Sequence, residues 1–159
     1  MSGVRIRPYG PEDLEALKEI TAACFEGVSI DRNIEACFGL IGGHDWRWRK
    51  LRHIDDDVAG QRAGGVLVAA DGERVVGFVT TRVDGESRIG WIPNLAVRPE
   101  YQGQGLGRRL LEAALDYLRA QGMECVRIET LAQNQIGMRL YPSLGFREVA
   151  RQIHYAMRL

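Results

Sequence analysis

From Val4 to Pro8 apolar and basic residues alternate, a period of two that predicts a short strand with one wet face. From Leu14 the period lengthens. Leu14, Leu17, Ile20 and Cys24 fall on one helical stripe, opened by Pro11 and the acids Glu12 and Asp13. Ser29 to Leu40 predicts a second helix, stopped by Gly42-Gly43. Asp45 to Val58 predicts a third, with Trp48, Leu51, Ile54 and Val58 on one face and Arg47, Arg49, Lys50 and Arg52 on the other. Past Gly64 the runs shorten. Val66–Ala70, the Asp71-Gly72 turn and Val75–Val83 read as a hairpin, and a turn at Val83-Asp84-Gly85-Glu86 leads into Ile89–Val97. The three strands form an antiparallel meander. Val75 to Thr81 is apolar on both faces, as in a strand covered on both sides. Pro93 interrupts the third strand, where its missing N–H predicts a bulge or a break in pairing. A helix follows with Leu106, Leu110, Ala114 and Leu118 in register, ending at Gly122. A strand is predicted at Cys125–Thr130, a short helix from Asn134 to Leu144 closed by Gly145, and a last strand from Phe146 to Met157. Strands and helices in this order predict one α/β domain over residues 1–159, with helices packed on a mixed sheet.

The chain of 159 residues carries 21 Lys and Arg against 21 Asp and Glu, for a formal net charge of zero. No global basic field draws it to nucleic acid or to an anionic membrane. Its apolar runs fall far short of the ~20 residues of a membrane span, and the N-terminus has no signal-type run. Cys24, Cys37 and Cys125 are widely spaced and form no C-x-x-C pair, which argues against a disulfide framework and a cysteine zinc site. A cytoplasmic protein is expected.

Glycine is the one excess, 19 of 159 residues, and three of the 19 alternate in Gln102-Gly103-Gln104-Gly105-Leu106-Gly107-Arg108-Arg109. They let the backbone approach a bulky group just where a helix begins. The first N–H groups of that helix lack intrahelical partners, its dipole adds partial positive charge, and Arg108 and Arg109 add more. The combination predicts a pyrophosphate cradle. It is not a P-loop, because Arg108-Arg109 stands where Gly-Lys would be required. A dinucleotide fingerprint would need glycine at Arg108. Glu129 does lie about 20 residues on, where a ribose-binding acid would sit, so that rival stays open.

Gln102-x-x-Gly105-x-Gly107 resembles the acetyl-CoA signature of the GNAT superfamily of N-acetyltransferases. Asn94-Leu95-Ala96-Val97 resembles that family's fourth strand, and Asn134-x-x-Gly137-x-x-x-Tyr141-x-x-x-Gly145-Phe146 resembles its second motif, with glycine in place of the usual alanine. The resemblance covers residues 65–158 firmly and residues 1–64 only in element order. It implies a mixed, mostly antiparallel sheet of six to seven strands flanked by about four helices. The implied activity is transfer of an acetyl group from acetyl-CoA to an amine, of a small molecule or a protein N-terminus, by direct attack. Family members are often homodimers. The resemblance places acetyl-CoA on Leu95, Ala96, Val97, on the loop Gln102, Gly103, Gln104, Gly105, Leu106, Gly107 and Arg108, and on Asn134 and Tyr141. Tyr141 takes the position of the general acid that protonates the leaving thiolate. Glu129, five residues before Asn134 and twelve before Tyr141, takes the position of the base in ribosomal-protein alanine acetyltransferases. The plain reading of Glu129 is an ion pair with Arg127.

The chemistry itself requires a deprotonated amine, a donor at the carbonyl where charge develops, and an acid for the leaving thiolate. No cysteine lies in either motif, which argues against a covalent acetyl-enzyme. Trp46, Asp55 and Asp56 sit in a segment where acids beside aromatics suit a cationic amine, although a solvated helix face explains them as well. His44, His53 and the aspartates match no strong metal spacing, so no metal is expected. A non-catalytic acyl-CoA-binding module would keep the loop without needing Tyr141 or Glu129.

Overall fold

A computed structural model of the chain describes residues 3–159; Met1 and Ser2, where the reading of the N-terminus begins, lie outside the described residues. The elements run β1 (Val4–Pro8), α1 (Leu14–Cys24), α2 (Ile30–Phe38), α3 (Trp46–Asp57), β2 (Leu67–Asp71), β3 (Arg74–Val79), β4 (Ile89–Trp91), β5 (Leu95–Val97), α4 (Leu106–Ala120), β6 (Cys125–Arg127) and α5 (Gln135–Ser143). Strands β1, β2, β3 and β5 form one antiparallel sheet in that order, and β4 pairs with β6 in parallel as a separate ribbon.

The meander is present, and the segment 89–97 is cut into β4 and β5 around Pro93. The Ile92 amide still reaches the Arg127 carbonyl at 3.1 Å, while the Asn94 carbonyl already accepts from the Thr80 amide at 2.9 Å. The strand therefore keeps the chain of β3 and its extension on one side throughout, through Trp91 to Arg82 before the proline and through Asn94 to Thr80 after it, and loses its second partner, β6, at the proline. Beyond that point β6 has ended and β5 pairs with β3 alone, so the other side of β5 has no strand partner among the described residues and forms the candidate cleft.

Leu106, Leu110, Leu111, Ala114 and Leu118 of α4 pack on Ala69, Val76, Val79 and Val97 on one side of the sheet. Leu17 and Ile20 of α1 and Ile54 of α3 pack with Val66, Val68, Val75, Phe78 and Ala96 on the other. Both faces are covered, which explains the unbroken apolar run in β3.

Two expectations change. Among the described residues six strands are present, divided between a four-stranded sheet and a ribbon that the Arg82–Trp91 bridge links to the chain after β3. The predicted last strand, Phe146–Met157, is absent: residues 146–159 take no regular secondary structure and pair with no strand among the described residues. Alternation marks a segment able to be a strand, but a strand exists only where an edge receives it.

Candidate active site

The loop before α4 is shaped by two glycines in the left-handed region, Gly103 at φ +76° and Gly105 at φ +80°. A side chain at either would be strained, and a Cβ at either would meet nothing within 4 Å. Gly105 is the N-cap of α4 and no side chain caps that end. The first amide with a helical partner is that of Arg109, which donates to the Gly105 carbonyl at 3.1 Å. The amides of Leu106, Gly107 and Arg108 are thus left without helical partners. Leu106 itself is buried, so only its backbone can meet a ligand. Gln102 turns its side-chain amide to the Val97 carbonyl at 2.9 Å and so ties the loop to β5, and Gln104 stays exposed. The arginines divide. Arg108 reaches Ser143 of α5 at 2.8 Å and stays at the helix mouth. Arg109 donates to the Val4 carbonyl at 3.0 Å, so it fastens β1 instead of adding charge to the cradle.

Alternation in β5 sorts its backbone groups. The Asn94 carbonyl accepts from Thr80 and the Arg98 amide donates to Val76, so residues 94, 96 and 98 face β3. Leu95 and Val97 turn their polar groups the other way, to the cleft. Ala96 is committed to the ladder, so of the Leu95 and Ala96 amides only that of Leu95 faces outward. The Val97 carbonyl also accepts from the Cys24 thiol at 3.1 Å. Burial pushes that thiol's pKa up, which disfavours the thiolate a nucleophile would need.

On the far side of the cleft, Asn134 caps α5: its side-chain oxygen accepts from the Gly137 amide at 3.1 Å and its nitrogen donates to Thr130 at 2.9 Å. A Cβ on Gly137 would lie 2.9 Å from the Asn134 nitrogen, 3.0 Å from the Tyr141 ring and 3.1 Å from the Thr130 hydroxyl. Glycine here makes room for Tyr141. That ring meets Phe146 edge-on, with centroids 6.0 Å apart. Burial pushes its phenol up to about 12, so it is protonated throughout the neutral range.

Glu129 is held at both oxygens. The Trp91 indole donates to one at 2.6 Å, and Arg127 pairs with the other. The Trp91 ring lies between two guanidinium groups, Arg82 at 4.9 Å and Arg127 at 4.7 Å from its centre. The carboxylate is about half exposed at the rim of the β4–β6 ribbon.

Sequence reasoning missed a buried network at the strand break. Asp57 of α3 accepts from Asn94 at 2.6 Å and Thr80 at 3.1 Å, and pairs with Arg82 at 2.8 Å. The Asn94 oxygen in turn accepts from Lys50 at 2.8 Å. Lys50 lies 4.3 Å above the Phe25 ring, and its burial holds the ammonium pKa below its ordinary range. The partners are far apart in sequence; the signal was there only as a third aspartate beside Asp55 and Asp56. Those two take other places: Asp55 pairs with Lys18 at 2.9 Å and Asp56 is exposed. Trp46 is buried, its amide bonded to Glu35 at 2.6 Å. The three are not brought together into a pocket. Among the described residues no group of three or more His, Cys, Asp or Glu side chains is placed to hold a metal ion, and no helix is long and apolar enough to cross a membrane.

Comparison with known proteins agrees with this geometry. The chain is 35% identical over 92 residues to N-alpha-acetyltransferase 30 of Schizosaccharomyces pombe, covering 56% of this chain and 61% of that protein. It is 35% identical over 157 residues to the mycothiol acetyltransferase of Actinosynnema mirum, covering 98% of this chain and 48% of that one. The chain thus spans less than two thirds of the length of these curated relatives. Among solved structures, the ribosomal-protein-S18-alanine N-acetyltransferase of Escherichia coli superimposes with a TM-score of 0.68 at 26% identity, over 92% of this chain and 79% of that one. The PaiA N-acetyltransferase of Thermoplasma acidophilum, solved with coenzyme A, shares the fold with a TM-score of 0.72 at 23% identity, over 91% and 89%. Residues 14–146, most of the chain and both sides of the cleft, match the model of the acetyltransferase (GNAT) family, and the chain belongs to that family.

Proposed function

We propose that residues 1–159 act as a single N-acetyltransferase domain that passes an acetyl group from acetyl-CoA directly to an amine, on a protein N-terminus or a small molecule. The observation that carries this reading is the mouth of α4, where unpartnered amides of Leu106, Gly107 and Arg108 open over Gly103 and Gly105, where no Cβ fills the space. Those amides and the Arg108 guanidinium hold the pyrophosphate. The outward amide and carbonyl of Leu95 and the outward amide of Val97, whose carbonyl is taken by Gln102 and Cys24, bind the pantetheine arm as a neighbouring strand would, with Asn134 at the far wall. Acetyl-CoA supplies the thioester whose acyl carbon the amine attacks. The Leu95 amide faces the carbonyl oxygen as charge develops on it. Tyr141, protonated at neutral pH, gives its proton to the departing sulfur. Glu129, fixed by Trp91 and Arg127, takes the proton of the amine, directly or through water. The reaction calls for no metal. The free thiols of Cys24, Cys37 and Cys125 suit a reducing compartment, and we place the reaction in the cytoplasm.

Thermal unfolding with excess acetyl-CoA, with NAD and ATP as controls, tests the donor site. Acetyl-CoA at 100 times its dissociation constant adds about 2.7 kcal/mol, a rise of several degrees. Release of free thiol with a panel of amines and N-terminal peptides then reads turnover. No rise with acetyl-CoA, or a rise with NAD instead, rejects the donor assignment.

A further inference from the structure

We propose that Lys50 is itself an acetyl acceptor: the chain transfers an acetyl group from bound acetyl-CoA to the side-chain amine of its own Lys50. The inference rests on the acetyl-transfer reading and extends it to a modification site. Lys18 and Lys50 are the only lysines among the 21 Lys and Arg of the chain. A guanidinium does not lose its proton in a protein, so the arginines cannot serve as acyl acceptors. Lys18 lies in α1 and pairs with Asp55 at 2.9 Å. Lys50 lies in α3 and donates to the Asn94 side-chain oxygen at 2.8 Å. Asn94 stands directly before Leu95, whose outward amide faces the thioester carbonyl in the proposed reaction. The two sides of the sheet separate donor from acceptor. Helix α4, whose mouth takes the pyrophosphate, packs on one side. Asn94 turns its side chain to the other, where it bonds Asp57 of α3, and its neighbour Ala96 packs there with α1 and α3. An amine that meets the acetyl group from the face opposite α4 comes past Lys50.

The surroundings of Lys50 suit an acceptor. Phe25, at the end of α1, places its ring centre 4.3 Å from the amine. Asp31 of α2 and Asp57 of α3 face it and favour its charge, but Asp31 is shared with Arg49 and Asp57 with Arg82. Burial outweighs both carboxylates and holds the ammonium pKa below its ordinary range. The neutral amine, the form with a lone pair, is therefore more abundant at Lys50 than on a free lysine at the same pH. The side-chain amine makes one hydrogen bond, to Asn94, and its four-carbon stem is flexible, so it can leave Asn94 and turn to the acyl carbon. In the step, the ammonium first gives one proton to water. The nitrogen lone pair then attacks the acyl carbon; the C–N bond forms and the C–S bond breaks. The nitrogen loses its second proton to water, and the departing sulfur takes the proton of Tyr141, which solvent restores. The products are Nε-acetyl-Lys50, the free thiol of coenzyme A and one proton.

The test incubates the full chain with acetyl-CoA and follows both lysines by proteolytic mapping and mass spectrometry. Lys50 is expected to gain an acetyl group at least about 10-fold faster than Lys18, because only Lys50 is held beside the bound thioester. Excess coenzyme A, competing for the loop before α4, is expected to slow Lys50 and leave Lys18 unchanged. The rate per chain is expected to hold on dilution, since each chain modifies its own lysine. With rising pH the Lys50 rate is expected to level off below about 10.4, where a free lysine levels off. Equal rates at the two lysines, or a Lys50 rate that coenzyme A does not slow, overturn the proposal, because the acetylation is then uncatalysed. A per-chain rate that falls in proportion on dilution also overturns it, because one copy then modifies another. A chain that is stabilised by acetyl-CoA and acetylates peptides but leaves Lys50 unmodified overturns this proposal alone. A chain that acetyl-CoA does not stabilise overturns the acetyl-transfer reading with it.

Discussion

Tyr141 meets Phe146 edge-on and stands against Gly137, and burial keeps its phenol protonated until about pH 12. Tyr141→Phe keeps the packing and removes only the proton. The expected result is a fall in kcat of about 10²–10⁴-fold, with the thermal midpoint and the acetyl-CoA shift retained. The sign of the pKa change fixes the pH behaviour. A phenol raised to about 12 stays an acid across the assay range, so any alkaline loss of rate below that value has another origin and persists in the Phe variant. Glu129 is the complementary case. Its pair with Arg127 is about half exposed, and such pairs contribute only about 0–1 kcal/mol. Glu129→Gln therefore leaves stability within about 1 kcal/mol, while the rate at neutral pH drops about 100-fold if the carboxylate is the base. A wild-type pH–rate profile in the Gln variant removes Glu129 from the mechanism. Both residues could be picked out by spacing. What spacing could not show is how they are held, since Trp91 lies 38 positions from Glu129 in the chain.

At the scale of elements, the cradle is a matter of backbone angles. Gly105 caps α4 at φ +80° and Gly107 lies inside the helix, where a Cβ would meet only the Leu140 side chain at 3.5 Å. Gly105→Ala is expected to cost about 1–2 kcal/mol from the left-handed backbone alone, and to abolish the acetyl-CoA shift because its methyl enters the open space over the amides. Gly107→Ala, in ordinary contact within the first turn of α4, is expected to be neutral or stabilising by up to about 1 kcal/mol. Unfolding midpoints of the two variants with and without acetyl-CoA check the pair. The alternating glycines were legible as a loop that opens a helix, because a helix start and a left-handed turn both leave marks in sequence. The division of labour within the loop was not. That Gln102 serves β5 and Arg109 serves β1 depends on which neighbours the folded sheet presents.

For the whole molecule, the decisive place is the break at Pro93, where the strand keeps the β3 side and loses β6 as its second partner. Asp57 fastens α3 to that break through Asn94, Thr80 and Arg82. Removing the carboxylate leaves buried donors unpaired. Asp57→Ala is expected to cost about 3 kcal/mol in urea unfolding, with acetyl-CoA binding weakened as β5 loosens; Asp57→Asn, which keeps the shape and one acceptor, is expected to cost less. The sequence by itself determined the order of elements as far as α5, the meander, the break at the proline, the glycine loop that opens α4 and the spacing of Glu129, Asn134 and Tyr141. All of these rest on local periodicity, turn chemistry or fixed short spacing. Only the tertiary structure decided which aspartate is buried, which face of β5 is open, that Trp46 belongs to the core, and that the alternating C-terminal segment has no edge of its own to join. Those outcomes follow from what the fold places opposite each residue: pairing and burial are properties of two segments at once, and neither segment carries them alone.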